Sequence, residues 1–216
     1  MNRDREPKRR YGGVRASQRM AERREKLLAA GLEAFGTTGY AQAGIKEICS
    51  LAGLTERYFY ESFNNKEELL AAVYNGVVDE LIGNAMTRLD RGRESRLDRA
   101  MDAVGVLFES VRDDPRKGRM LYFEILGVSD RIDREYHAAT DRFIEIISLV
   151  LAGTFDSIDR AALESTVVPT GLAGALNLIA IKWILEDFSP PLADIMAQVR
   201  FLLESFNQFV DGTAPG

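Results

Sequence analysis

A short polar segment centred on Arg57 carries the side chains best suited to chemistry with another molecule. Glu56, Arg57 and Tyr58 follow Thr55 directly, and Tyr60 comes two positions later. Arginine donates paired hydrogen bonds to base edges in the DNA major groove, and glutamate can accept one from cytosine. Hydroxyl, lysine and backbone N–H groups bind phosphates, which position a protein on the duplex without reading its sequence. The segment therefore has the composition of a surface that reads DNA.

Two short helices joined by a tight turn are predicted to position these side chains. The first helix carries one apolar stripe at helical spacing, made of Ile45, Ile48, Cys49 and Ala52. Gly53 follows the stripe, and glycine can adopt the left-handed conformation that turns the chain sharply. The sequence therefore predicts that the first helix ends at this glycine.

The second helix is predicted to begin after Thr55, whose hydroxyl can accept a hydrogen bond from a free backbone N–H. Phe59 and Phe63 lie four residues apart, so both are expected to pack inward. The polar side chains between them, with Ser62, then face outward. A helix–turn–helix unit places its second helix in the major groove, which matches this polar face.

The segments that flank this motif complete a longer pattern. They read RREKLLAAGLEAFGTTGY at 23–40 and FNNKEELL at 63–70. The pattern resembles the N-terminal domain of the TetR family of bacterial transcriptional regulators at Leu28, Ala30, Phe35, Gly39, Tyr40, Ile45, Ile48, Ala52, Gly53, Thr55, Tyr60, Phe63, Lys66 and Leu69. This resemblance covers the first third of the chain. Ala43 and Gly44 depart from it, because the family usually has hydroxyl residues there that cap the first reading helix and contact a phosphate.

The polar face and the resemblance together give an expected set of DNA contacts. We expect Glu56, Arg57 and Tyr58 to meet base edges. Phosphate contacts are expected from Thr55, Tyr60, Lys66 and the helix-capping backbone near Gly44. Glycine can still cap a helix, so the departure at Gly44 removes a hydroxyl contact rather than the helix.

The charge of the chain is unevenly distributed. The 216 residues carry a net charge of -5, but residues 1–75 hold 13 Lys and Arg against 10 Asp and Glu. Residues 1–26 alone have 10 basic against 4 acidic residues, whereas residues 76–216 have 15 against 23. The basic charge therefore lies beside the helix–turn–helix, where it can meet phosphates, and the acidic part is expected to point away from DNA.

Composition argues against several other classes of protein. The single cysteine, Cys49, excludes an intramolecular disulfide framework, and its place on the apolar stripe indicates a buried thiol. No run of about 18 apolar residues indicates a membrane span, and no apolar signal core follows the charged N-terminus. His137 is the only histidine, and no GxSxG, P-loop or GxGxxG motif is present. We therefore expect a cytoplasmic protein that is not an enzyme and needs no metal or cofactor.

Helical periodicity extends through the chain, and no alternating segment of useful length predicts a strand. The predicted fold is all-α, with a three-helix helix–turn–helix domain and a larger C-terminal helical domain. The expected divisions are a disordered basic arm at 1–16, a DNA-binding domain at 17–64, a connecting helix at 65–88 and a ligand-binding and dimerisation domain at 89–216.

The TetR resemblance implies that a small molecule releases the protein from its operator, and that the protein is a repressor. Large apolar side chains in the middle helices favour a mostly hydrophobic ligand. The predicted lining consists of Met101, Val104, Phe108, Met120, Phe123, Phe143, Ile147, Val168 and Leu172, with His137, Tyr136 and Asn177 as candidate polar contacts. The connecting helix is the expected lever between this pocket and the reading helices.

The last two helices are predicted to form a homodimer. GLAGALNLIAI at 171–181 is apolar or small nearly all round, and the final helix carries a continuous apolar stripe from Leu192 to Phe209. The resemblance implies that two such pairs form a four-helix bundle across a twofold axis. A twofold dimer binds an inverted repeat of double-stranded DNA.

Two alternatives stay open on the sequence alone. A structural chromosome-binding protein without a ligand would show weak sequence preference and a filled C-terminal core. An unrecognised hydrolase would have to use His137, and substitution of this histidine during an activity screen would test it.

Overall fold

The computed structural model describes residues 10–89, 95–154 and 167–210. These residues form helices, and no strand occurs in the described ranges, which confirms the all-α prediction. The helices are α1 (Arg10–Thr37), α2 (Ile45–Ala52), α3 (Glu56–Ser62), α4 (Lys66–Leu89), α5 (Arg96–Asp113), α6 (Pro115–Arg119) with a π turn (Met120–Glu124), α7 (Asp130–Thr154), α8 (Val167–Leu185) and α9 (Leu192–Val210).

The chain divides into two compact units, the first ending at Val73 and the second beginning at Tyr74. The boundary falls inside α4, which is a single helix from Lys66 to Leu89. The expected connecting helix thus contributes its first two turns to the core of the first unit.

The first unit has a small apolar core built by α1, α2, α3 and the start of α4. Its fully buried side chains include Leu27, Phe35, Ile48, Phe59, Phe63 and Leu69. Gly31 lets α1 and α4 approach closely, because a Cβ atom there would lie 2.9 Å from Val73 Cγ2. The helix–turn–helix is therefore held by side chains from both flanking helices.

The second unit is organised around Trp183 on α8. This side chain is 1% exposed, its ring centroid lies 6.0 Å from that of Phe108, and its Nε1–H donates to the Pro190 carbonyl at 2.7 Å. The donor of a buried tryptophan needs such a partner. Leu176, on the same helix, and Val199, on α9, are also buried.

One helix begins earlier than expected. We expected α1 to begin near Ser17, but it begins at Arg10, so residues 10–16 of the expected disordered arm are helical. No proline interrupts this stretch, and the two glycines at 12 and 13 each cost only about 1 kcal/mol in a helix. Residues 1–9 of the expected arm lie outside the described residues.

One helix among the described residues is long and apolar enough to meet the length and composition of a membrane span. An 18-residue window of α8 has a mean hydropathy of 1.5, and a third of the window is buried. A core helix of a globular domain meets the same criterion. The buried side chains of Leu172, Leu176 and Trp183 pack one side of α8 in the core of the second unit.

Candidate functional site

The turn between α2 and α3 has the predicted geometry. Gly53 ends α2 with φ 63° and ψ 35°, which is the left-handed conformation that favours glycine. Thr55 stands at the N-cap of α3, but its hydroxyl does not accept the expected bond from the helix. The Thr55 carbonyl accepts the first hydrogen bond of the helix, from Tyr58 N–H at 2.9 Å. The hydroxyl is exposed and can face a phosphate.

The two sides of α3 differ sharply in exposure. Phe59 and Phe63 are buried as predicted, at 0% and 2%. Arg57 leaves 85% of its side chain in solvent and Tyr60 is 56% exposed. Glu56 is exposed as well. A helix held from behind by aromatic anchors thus presents a polar face that can enter a groove.

An ion-pair network connects this face to α1. Glu61 Oε1 lies 3.3 Å from Arg57 Nε, and Glu61 Oε2 lies 3.1 Å from Arg23 Nη1. The Arg23 guanidinium carbon also stands 3.9 Å from the centre of the half-buried Tyr58 ring. Our sequence reasoning missed Arg23 and Glu61. The spacing of Arg57 and Glu61 could have shown one pair, but Arg23 is too distant in the sequence.

Lys66 contacts the loop before α2. Its Nζ donates to the Tyr40 carbonyl at 2.6 Å and to the Ala43 carbonyl at 2.9 Å, and lies 4.3 Å from the centre of the Tyr40 ring. Burial lowers the pKa of this ammonium. A lysine has three N–H donors, so one is left for the predicted phosphate contact. Lys66 is therefore first a structural clamp.

Gly44 occupies the N-cap of α2 in an extended conformation. Its N–H donates to Glu47 Oε2 at 3.4 Å, and Glu47 Oε1 accepts from the Thr38 hydroxyl at 3.2 Å. A Cβ atom at Gly44 would meet nothing within 4 Å, so the glycine is open on the side where a side chain would lie. The phosphate contact expected from the backbone near Gly44 stays a prediction.

A cavity of about 60 Å³ lies within the second unit, between α4, α5, α7 and α8. Four of the predicted ligand contacts line it, namely Val104, Phe143, Ile147 and Asn177. Asn177 is the one polar residue among the described residues that line it, and none of these is charged. Tyr122 Oη donates to Asn177 Oδ1 at 3.4 Å.

The other predicted lining residues lie elsewhere. Phe108 and Met120 are core residues at 0% exposure. Leu172 is buried and Val168 is half-buried, and neither lines the cavity. Met101 lines a separate cleft. Phe123 is 39% exposed because the π turn shifts the helical register, which turns Met120, Leu121 and Ile125 inward instead.

His137 is exposed and Tyr136 half-buried, and neither lines the cavity. His137 follows Tyr136 directly, so a helix rotates its side chain about 100° from the buried stripe of α7. Tyr74 and Tyr122 lie close to Tyr136, and burial raises the pKa of both phenols. The charge of Tyr136 raises the pKa of both a little further, and the charge of Tyr74 also raises the pKa of Tyr122. Tyr74 is buried and Tyr122 and Tyr136 are half-buried in this unit, whereas His137 is exposed.

Comparison with known proteins gives one consistent result. The family model described as bacterial regulatory proteins of the tetR family matches residues 27–73. The HTH-type transcriptional activator FasR of Mycolicibacterium smegmatis is 32% identical over 186 residues, which cover 83% of this chain and 81% of FasR.

Two solved structures share the fold. FadR from Bacillus subtilis in complex with stearoyl-CoA aligns with a TM-score of 0.69 at 16% identity, over 83% of this chain and 96% of that one. AibR in complex with isovaleryl coenzyme A and operator DNA aligns with a TM-score of 0.65 at 16% identity, over 83% and 97%. The helix–turn–helix and the similarity to FasR over most of both chains identify a DNA-binding transcriptional regulator, and the chain belongs to the TetR family of bacterial regulatory proteins.

Proposed function

We propose that the protein is a cytoplasmic, sequence-specific regulator in which α3 reads base edges of an inverted-repeat operator. The exposed polar face of α3 carries this proposal. Arg57 extends from a short helix whose opposite side is fixed by Phe59 and Phe63. A fixed helix with an exposed guanidinium suits paired hydrogen bonds to guanine.

The test begins with an operator selected by the wild-type protein from randomised duplexes. Arg57→Ala should weaken binding to this operator by about 1–3 kcal/mol and relax the preference at one base pair in each half-site. Lys26→Ala is the matched control, since it removes an exposed positive charge from α1. Equal losses for Arg57→Ala on the operator and on random DNA would contradict the base contact.

We propose that α8 and α9 form the homodimer interface. Leu178 and Leu185 on α8 are 67% and 68% exposed, and Phe201 on α9 is 72% exposed. Exposed apolar side chains clustered on adjacent helices are typical of an association surface. A cleft lined by Ile179, Phe201 and Leu202 lies between them. Sedimentation of a stable monomer that still binds the inverted repeat tightly would contradict this interface.

The cavity of the second unit is proposed to receive the effector. Its walls hold no charged side chain in the described residues, so the inserted part of the ligand must be uncharged, and Asn177 can offer it a hydrogen bond. Ligand pockets usually measure about 300–1,000 Å³, so a ligand must displace side chains and expand the 60 Å³ cavity. An effector that needs an expanded second unit binds the expanded conformation better than the compact one. Such a difference in affinity is what a ligand needs in order to control DNA binding.

Where the operator overlaps a promoter, the bound protein represses transcription, and its release from DNA by the effector ends the repression. The two related structures contain acyl-CoA compounds, so acyl thioesters of graded length are the first probes. Each probe is titrated into the protein with and without operator. Tenfold release corresponds to about 1.4 kcal/mol, and operator must weaken probe binding by the same factor. A reporter with the operator placed over or upstream of a promoter shows the sign of regulation.

The small cavity also favours a second candidate, a DNA-binding protein that takes no ligand. A volume of about 60 Å³ is close to the filled core that this candidate predicts. Probe affinities that are identical with and without operator, together with weak sequence preference, would support it over the ligand-responsive regulator.

A further inference from the structure

Glu61 joins two arginines on the DNA-facing side of the first unit. Its Oε1 atom lies 3.3 Å from Arg57 Nε, and its Oε2 atom accepts from Arg23 Nη1 at 3.1 Å. Arg23 in turn lies over Tyr58, with its guanidinium carbon 3.9 Å from the ring centre. One carboxylate therefore contacts one proposed base reader directly and a second one through Arg23.

The exposure of these groups shows what the network can change. The side chains of Arg23 and Glu61 are 27% and 36% exposed, whereas that of Arg57 is 85% exposed. Ion pairs at this exposure contribute little to folding stability. They do restrict the directions in which the guanidinium groups point, because the arginine fork has a rigid donor geometry.

We propose that Glu61 is a positioning residue that determines DNA specificity. It orients Arg57 and Arg23 on the reading surface, and its negative charge lowers affinity for DNA of any sequence. This inference rests on the proposed function, in which α3 reads base edges.

Both effects follow from electrostatics at a phosphate-rich surface. An arginine without a carboxylate partner is free to bind any phosphate within reach, which adds affinity without sequence information. Removing the charge of Glu61 leaves the positive charges of Arg23 and Arg57 unopposed. The salt dependence of binding should then steepen by about one unit, as expected for one more neutralised phosphate.

The experiment compares Glu61→Gln with the wild type on the selected operator and on a random duplex at several salt concentrations. Glu25→Gln is the matched control, because it removes one exposed acid from α1 in the same unit. Glu61→Gln should bind random DNA up to about tenfold more tightly near 0.1 M salt. The ratio of its affinity for the operator to its affinity for random DNA should fall about fivefold or more. A change of about fivefold is the low end of the base discrimination that a good arginine–guanine pair contributes.

Two further variants separate orientation from folding. Glu61→Ala, which also removes the hydrogen-bond acceptor, should lower the ratio further while the thermal midpoint stays near that of the wild type. In the Arg57→Ala background, Glu61→Gln should no longer lower the ratio by the same factor, because the reader it orients is gone.

Three results would overturn the inference: a ratio for Glu61→Gln equal to that of Glu25→Gln, equal weakening on both duplexes, or full additivity with Arg57→Ala. A wild-type protein that selects no consensus is a different outcome, since it contradicts sequence-specific reading itself.

Discussion

Replacing Lys66 by methionine is expected to loosen the start of α2. The ammonium of Lys66 donates to the carbonyls of Tyr40 and Ala43 and lies over the Tyr40 ring. These contacts fasten the loop before Gly44 to the first turn of α4. Methionine keeps most of the apolar stem, so the substitution removes mainly the charge and its donors.

The size of the effect follows from the contacts that are lost. A hydrogen bond from a charged group contributes about 1.5–3 kcal/mol when it is well buried, and a cation over a ring at an exposed site adds about 0.5–1 kcal/mol. Lys66 is half-buried, so water can reach the carbonyls after the substitution. We therefore expect Lys66→Met to lower the free energy of unfolding of the first unit by about 2 kcal/mol, not by the sum of its contacts.

Amide hydrogen exchange of the α2 peptide, Ile45–Ala52, measures this loss locally in the full-length chain. A change of 2 kcal/mol accelerates exchange about thirtyfold if these amides open with the first unit. Lys46→Met is the matched control, because Lys46 is exposed on α2 and should have a minor effect on exchange. Exchange rates for Lys66→Met equal to those of Lys46→Met would refute the clamp and leave Lys66 with only its proposed phosphate contact.

Three further predictions concern the close approach at Gly31, the charge of Asp114 and the exposed Phe201. Gly31→Ala should destabilise the first unit by about 1–3 kcal/mol in denaturant titrations, because the added Cβ would lie 2.9 Å from the β-branched Val73. Gly76 is exposed and a Cβ there meets nothing, so Gly76→Ala should stabilise the protein by about 0.5–1 kcal/mol in the same assay. The hydrogen bond from Arg116 lowers the pKa of Asp114, so the charged carboxylate stabilises the fold at pH values above the ordinary carboxyl range. This contribution is lost as the pH falls through the lowered pKa. Asp114→Asn should therefore lower the free energy of unfolding by less than about 1 kcal/mol at pH 7 and by nothing below that pKa, as measured by unfolding at several pH values. Phe201→Glu should yield a folded monomer in sedimentation, whereas Leu203→Glu should unfold the second unit, because Phe201 is exposed and Leu203 is 2% exposed.

The helix–turn–helix could be predicted because its determinants are local. The left-handed turn at Gly53 and the inward direction of Phe59 and Phe63 depend on spacings of a few residues. The contacts that orient the reading face could not be predicted in this way. Arg23 meets Glu61 across 38 positions, and only folding brings the two charges together.

The same distinction explains the errors in the second unit. A regular helix through Met120 would have turned Phe123 inward, but five residues adopt a π turn and the register shifts. Apolar stripes also do not show whether the side chains enclose space or fill it. Phe143 lines the cavity and Phe108 packs on Trp183, although both belong to similar stripes.

The buried thiol of Cys49 allows the opening of the helix–turn–helix to be followed by chemical modification. It is the single cysteine of the chain and 3% exposed, and burial, followed by the nearby Glu56 charge, raises its pKa. A thiol reagent can therefore react only when α2 opens, and each modified molecule records one such event. The rate of modification should rise in Lys66→Met and fall when DNA holds the unit closed. The rate of modification of Cys49 thus measures local opening of α2 in the natural chain, without an added label.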